Sequence, residues 1–358
     1  MNILALNSSP RTGGRSKTEL MLDRLVEGMR DAGARVEVVN LREKKINNCV
    51  GCYTCWTKTP GKCIHKDDMS GELFPKWLES DLVVYATPLY YHTMNSAMSR
   101  FKERTLPAAL PFIEMGDEKS THPLRHRVPP AVWLSVCGFP ELTEFDVFSD
   151  YLHRTLHKDV EIWAEIYRPA AESMSTPLFR ETVNDILDAT KRAGWELAET
   201  REVSPETMAR IAQPICEREQ IADLANMFWR TCIAEEVNPK EFEEKGIVPR
   251  PDSLETFMMV FPAGLNREAA GDGRVLMQFT FTGEVEGQCW FAVEKGNVKA
   301  TVGTCDNPDI AITTPFGVWM DIMTRKADGQ QMFMEGKYRV EGDLNLMIEL
   351  FKEDDTRS

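Results

Sequence analysis

The chain has 358 residues, 42% of them hydrophobic and 27% charged, and 42 Lys and Arg against 56 Asp and Glu leave a formal net charge of −14. Such a composition is that of a globular protein long enough for two domains, and the acidic balance argues against a nucleic acid or an anionic membrane surface as partner. With no basic leader, no apolar run of about 18 residues and nine cysteines expected as reduced thiols or metal ligands, a cytoplasmic protein without a membrane span is expected.

Residues 3–6 (ILAL) read as a strand, 7–18 as a polar loop, and Leu20, Met21, Leu22, Leu25, Val26 and Met29 recur at helical spacing. The loop's hydroxyls and backbone N–H groups thus stand at a helix N-terminus, where the dipole favours an anion. The stretch lacks the lysine-serine ending of a P-loop and the three spaced glycines of a dinucleotide fingerprint, so a monophosphate cradle fits it better. An ordinary serine-capped turn is the alternative. Strands follow at 34–41, 81–87, 130–137 and 160–167, with helical stretches at 92–105, 141–157 and 176–199. That alternation predicts an α/β fold with a doubly wound, parallel, five-stranded sheet, whose ligands lie beyond the carboxyl ends of the strands. Loops 87–95 and 138–141 leave such ends. Tyr90 and Tyr91 offer planar surface for a flat heteroaromatic ring, or pack as ordinary aromatics.

Between the second and third strands lie Cys49, Cys52, Cys55 and Cys63. Two C-x2-C steps suit a 4Fe–4S cluster or zinc, and reduced thiols are the alternative. Seven residues, among them Pro60 and Gly61, separate Cys55 from Cys63, a wider interval than compact cluster motifs have. His65 lies in the same segment as a candidate ligand. His122, His126, His153 and His157 are expected in solvated or capping roles, and His92 beside the aromatic loop.

Ser9-Pro10-Arg11 with Ser16-Lys17-Thr18, then Thr87-Pro88-Leu89-Tyr90-Tyr91, then Cys137-Gly138-Phe139 resemble the flavodoxin-like NADPH-dependent FMN reductase family over about residues 1–200. The resemblance implies that Ser9, Arg11, Ser16, Lys17 and Thr18 hold an FMN phosphate. It implies that Pro88, Leu89, Tyr90, Tyr91, Cys137, Gly138 and Phe139 hold the isoalloxazine ring. It further implies NAD(P)H as co-substrate, a quinone, flavin or other small molecule as electron acceptor, and a homodimer. No acid–base residue is assigned, because hydride transfer to a flavin needs stacking and orientation more than a proton donor. The cysteine segment is similar to that of iron-sulfur flavoproteins, which implies a cluster at Cys49, Cys52, Cys55 and Cys63 feeding electrons to FMN. An electron carrier without nicotinamide turnover is the alternative function.

Beyond Pro205, helices are expected over 206–237 with a break near Pro214, and the polar stretch 238–251, with Pro239, Pro249 and Pro251, reads as a linker. A helix at 253–261, strands at 274–282, 288–293, 297–302 and 311–313, and helices at 315–325 and 344–351 predict a second, antiparallel α+β domain. Val275, Met277, Phe279 and Phe281 form one apolar face, opposed by Trp290 and the stripe Phe316, Trp319, Met320 and Met323. Domains are therefore expected at 1–203 and 253–352, joined by a helical segment and linker at 204–252. Residues 278–283 (QFTFTG), 309–313 (DIAIT), the helix after them and 336–343 (GKYRVEGD) resemble the sterol carrier protein type 2 family. This implies an apolar tunnel for a lipid or acyl ligand; a structural role, or a lipid-binding module with a regulatory flavodoxin-like half, are the alternatives.

Overall fold

In the computed structural model, which describes residues 1–116, 119–271 and 273–352, the chain divides into two units at Glu217/Arg218. The first contains, in order, β1 (Asn2–Asn7), α1 (Lys17–Asp31), β2 (Arg35–Asn40), α2 (Phe74–Glu79), β3 (Leu82–Tyr90), β4 (Thr93–Met94), α3 (Ser96–Glu103), β5 (Ala131–Val136), α4 (Asp146–Thr155), β6 (Ile162–Arg168), α5 (Arg180–Thr200) and α6 (Pro205–Ala212). Five strands pair in parallel in the order β2-β1-β3-β5-β6, and β4 folds back antiparallel on β3. The winding reverses between β1 and β3, so a crevice opens beyond their carboxyl ends. This is the doubly wound parallel sheet expected from the alternation of strands and helices, in the flavodoxin-like order the resemblance implied.

Every residue of β5 and the first six of β3 are buried, as strands covered on both faces must be. On one face Tyr85 and Trp133 stack with ring centroids 4.4 Å apart, beside Phe101 and Phe148. On the other, α1 buries Met21, Leu22, Leu25 and Met29 and crosses α5 where Gly28 and Gly194 meet backbone rather than side chains. The fully buried Arg168 donates from Nη1 to the carbonyls of Ile211 and Gln213, each at 2.7 Å. Its charge thereby caps the negative end of α6 and fixes that helix to β6, so residues 204–217 fold with the first unit.

The second unit contains α7 (Arg218–Ala234), α8 (Pro239–Glu244), α9 (Leu254–Val260), β7 (Arg274–Thr282), β8 (Gly287–Glu294), β9 (Asn297–Val302), β10 (Ile310–Pro315), α10 (Phe316–Met323), α11 (Gly329–Met334), β11 (Arg339–Gly342) and α12 (Leu344–Phe351). The stretch expected as a bare linker holds α8, because Asn238 closes a capping box with Glu241 and Pro239 stands at the start of the helix, where its missing N–H costs nothing. The sheet order is β11-β10-β7-β8-β9, and β10 runs parallel to β7, so the sheet is mixed rather than antiparallel. The cause is a crossing of the sheet after β9. Gln278, buried, donates from Nε2 to the Gly303 carbonyl at 3.2 Å and accepts the Cys305 N–H at 2.9 Å, which holds the crossing segment on the sheet.

Trp290 pairs with Gln278, whereas the core-facing residues of β8 are Cys289, Phe291 and Val293. Its expected place in the core is thus corrected by one register step, which in a strand inverts the face. Val275, Met277, Phe279, Phe281, Phe316, Trp319 and Met320 are buried as the alternation requires. Phe257 of α9 stands edge-on to Phe281 at 4.9 Å, and Phe279 edge-on to Trp319 at 5.1 Å. Such pairs contribute beyond the area they bury. Among the described residues no helix is long and apolar enough to cross a membrane.

Candidate functional site

Three loops leave the carboxyl ends of β1, β3 and β5, and polar side chains tie the first two together. Asn7 accepts the N–H of Ser9 at 3.0 Å, and Ser8 donates from its N–H and Oγ to the Ala86 carbonyl. Asn95, buried at the start of α3, donates from Nδ2 to the Ser8 carbonyl at 2.6 Å, donates its own N–H to Thr87 Oγ1 and accepts the Met98 N–H. One side chain thereby joins the first loop, the second loop and a helix cap. Gly13 and Gly14 take φ of +66° and +77°, which lets the first loop turn back into α1. Ser16 caps α1 by accepting the Glu19 N–H at 3.0 Å and donates to Ser9 Oγ at 2.7 Å.

One cavity is lined by Ser9, Arg11, Lys17 and Thr18 at one end, by Pro88, Leu89 and Tyr90 on one side, and by Val136, Cys137 and Gly138 on the other. Nine of the twelve residues expected at a flavin therefore share one cavity. Ser16 stands behind it as the cap, and Tyr91 and Phe139 are exposed beside it. Ala171 and Glu172, from the segment after β6, complete the lining and were not anticipated. Glu172 accepts Arg11 Nη1 at 2.6 Å, with both side chains half exposed. Nothing in the local sequence marks Glu172, because its place depends on Ala170 and Ala171 donating their N–H groups to the Phe139 and Cys137 carbonyls.

The first-turn N–H groups of α1 and the Arg11 guanidinium suit an anion at this end. At the other end burial pushes the Cys137 thiol up to about 12, so it stays neutral and donates to the Phe139 carbonyl at 3.4 Å. Tyr91 and His92 form a two-residue hairpin turn with φ of +49° and +58°, a conformation usually left to Asn-Gly. Each such residue costs about 1–3 kcal/mol. The His92 ring, 3.3 Å from the Glu144 carbonyl and 3.4 Å from its carboxylate, helps hold the turn. His153 pairs with Glu165 and His157 Nε2 meets the His122 carbonyl, as peripheral structural contacts.

Cys49, Cys52, Cys55 and Cys63 line a second cavity together with His65 and Arg104. The wide last interval closes on itself: Thr59 donates its N–H to the Thr54 carbonyl at 2.9 Å and Gly61, at φ +78°, donates to the Cys55 carbonyl at 2.9 Å, which returns Cys63 to the other three. All four are free thiols. Burial, then the neighbouring Cys63, raises the Cys55 thiol, whereas hydrogen bonds from Thr54 lower Cys52. Among the described residues no three His, Cys, Asp or Glu side chains are grouped to hold a metal ion. Two nitrogens of the same cavity wall, His65 Nε2 and Arg104 Nε, are buried without a hydrogen-bond partner. The Arg104 donor would suit a negatively charged sulfur, although the four cysteines as they stand are not grouped around a metal site.

Residues 1–128 match the NADPH-dependent FMN reductase family and residues 267–352 the SCP-2 sterol transfer family. The chain is 39% identical over 107 residues to an iron-sulfur flavoprotein of Archaeoglobus fulgidus, covering 30% of this chain and 46% of that one. It is 28% identical over 112 residues to an iron-sulfur flavoprotein of Methanocaldococcus jannaschii, covering 31% and 55%. The chain thus spans about half the length of these curated relatives. Two solved structures are similar in part: an azoreductase from Bacillus anthracis, at 12% identity and TM-score 0.40 over 55% of this chain and 98% of that one, and an NAD(P)H:quinone oxidoreductase from Methanothermobacter marburgensis, at 14% and 0.40 over 55% and 96%. By sequence, the N-terminal part is similar to FMN reductases and iron-sulfur flavoproteins, and the C-terminal part to sterol carrier domains.

Proposed function

We propose that this chain is an FMN-dependent oxidoreductase that takes electrons from NAD(P)H and passes them to a quinone, a flavin or another small acceptor. The observation that carries this is the cavity at the switch point, where an anion-favouring helix start faces a slot between Pro88–Tyr90 and Cys137–Gly138. The loop around Ser9, Arg11, Lys17 and Thr18 would hold the phosphate. Pro88, Leu89, Tyr90, Cys137 and Gly138 would hold the ring. Bound FMN supplies a centre that accepts a hydride or single electrons. The chain's own part would be to fix the first two loops to each other through Asn95 and to keep a neutral thiol beside the ring.

A charge-assisted bond from Arg11 is worth about 1.5–3 kcal/mol, so Arg11→Ala should weaken FMN binding about ten- to hundredfold. Flavin fluorescence titration measures it. Purified chain that neither carries nor binds FMN would end this reading. Steady-state oxidation of NADH and NADPH then decides whether nicotinamide is the donor. We include a homodimer in the proposal, since Tyr91 and Phe139 stand exposed beside the cavity; sedimentation that finds only monomer removes that part.

A second reading, favoured by the two unpartnered nitrogens in the cysteine cavity, is that Cys49, Cys52, Cys55 and Cys63 hold a 4Fe–4S cluster and the chain carries electrons without nicotinamide turnover. Anaerobically purified chain should then contain iron and acid-labile sulfide, and Cys52→Ser should lose both.

For the second unit we propose binding of a lipid or acyl ligand. Trp319 Nε1 is buried without a partner inside the aromatic core, and the carbonyl or hydroxyl oxygen of an apolar ligand would satisfy it. A hydrogen bond of about 1 kcal/mol corresponds to roughly fivefold in affinity. Trp319→Phe in the full chain should weaken a fluorescent fatty acid by that factor with unchanged circular dichroism, and wild-type chain that shows no saturable binding would return this unit to a structural role.

A further inference from the structure

Arg104 ends α3 and its side chain is 1% exposed, against 0% for Asp67. Nη1 donates to Asp67 Oδ2 and to the Asn47 carbonyl, both at 2.7 Å, and Nη2 donates to Asp67 Oδ1 at 3.1 Å and Ser70 Oγ at 2.9 Å. Four contacts thus occupy the two terminal nitrogens. The remaining donor, Nε, is buried and has no partner. Arg104 lines the cysteine cavity and Asp67 does not, so the positive end of this pair is the one turned to the four sulfurs.

A protonated thiol is a weak acceptor, and a buried N–H left to it goes largely unsatisfied. A metal-bound thiolate is a strong acceptor. His65 Nε2, also buried without a partner, stands in the same wall.

We propose that Arg104 is the positioning residue of a metal–sulfur centre in this cavity, its Nε available to the cysteine sulfurs while Asp67 fixes the other end of its fork. The inference rests on the reading that the four cysteines hold a cluster. Hydrogen bonds to cluster sulfurs and positive charge nearby both favour the more negative, reduced state. Arg104 therefore raises the reduction potential of the centre as well as presenting a fixed donor to its sulfurs.

The test uses the full chain, purified without oxygen. Iron and sulfide are assayed and the midpoint is read from the visible absorbance during redox titration. Arg104→Lys keeps the charge within reach of Asp67 but removes Nε, and should lower the midpoint by at least tenfold in the one-electron equilibrium, about 60 mV. Ser70→Ala removes a contact of Nη2 and should leave the midpoint in place. Pulsed electron paramagnetic resonance on wild-type chain labelled with 15N-arginine should show nitrogen coupling to the reduced centre, so a poorly folding lysine variant does not block the decision. Wild-type chain without iron would overturn both the cluster reading and this inference. Iron in the wild type, with no arginine coupling or with an unchanged midpoint in folded Arg104→Lys, would overturn the inference alone.

Discussion

Alanine at Gly194 should lower the unfolding free energy by more than the roughly 1–3 kcal/mol that an overpacked core usually costs. A Cβ there would lie 1.9 Å from the Leu25 carbonyl oxygen and 3.0 Å from the Met29 nitrogen; at Gly28 it would lie 1.8 Å from the Lys191 oxygen and 2.9 Å from the Trp195 nitrogen. All of these are backbone atoms of the opposing helix and cannot rotate aside as a side chain can. The helices must part, and with them the apolar face that α1 and α5 bury. Both glycines are helical, so alanine would by propensity alone gain about 1 kcal/mol, and the expected loss is steric. The two sites share that single movement. Once α1 and α5 have separated for one methyl the second fits more easily, so the double variant should cost less than the sum of the singles. Urea midpoints measure all three. Gly71→Ala, where an added Cβ meets nothing within 4 Å, is the control and should be neutral or mildly stabilising. Wild-type midpoints in both single variants would mean that the helices do not cross this closely.

Much of the first unit was legible because its central strands are buried on both faces and so appear as continuous apolar runs, while Ser16 and the two glycines before it mark the start of α1. The residues that line the cavity could be read in three groups because each follows a strand in the order the winding requires. What escaped depends on contacts between distant segments. Glu172 reaches the cavity because the segment after β6 is bonded through Ala170 and Ala171 to the loop after β5. The hairpin at Tyr91-His92 was hidden because its residues are not those that favour left-handed backbone. The short helix α2 was missed behind Pro75, which lies in its first turn where proline is tolerated. In the second unit the prolines that suggested a linker include one that starts a helix, and Trp290 was misplaced because β8 is apolar on both faces, so alternation alone could not choose between them. The crossing that makes β10 parallel is held by Gln278, a polar residue whose burial no local pattern announces.

Asp67→Asn should remove about 3–5 kcal/mol of stability, the usual cost of breaking a buried ion pair by taking away one partner. Burial would raise the Asp67 carboxyl, but the Arg104 fork and the N–H groups of Asn47 and Ser70 outweigh it and hold the group well below the usual carboxylate range. The folded-state value is thus depressed below the unfolded one of about 3.9. Its contribution is fully present above that unfolded value and is lost as pH falls through the folded value. Wild-type stability should therefore climb with pH through the acid range and this share should level off above about pH 4, whereas Asp67→Asn should lack that share of the climb. Urea unfolding of the reduced, metal-free chain across that range checks the slope. The variant also leaves the guanidinium buried without its counter-charge. Replacing both partners by apolar residues, Asp67→Leu with Arg104→Met, should accordingly cost less than Asp67→Asn alone, because no unpaired charge remains. A double variant that is stable but whose cysteine cavity holds its metal less tightly would separate the two duties of the pair: the fold needs the charges matched or absent, and the sulfurs need the arginine itself.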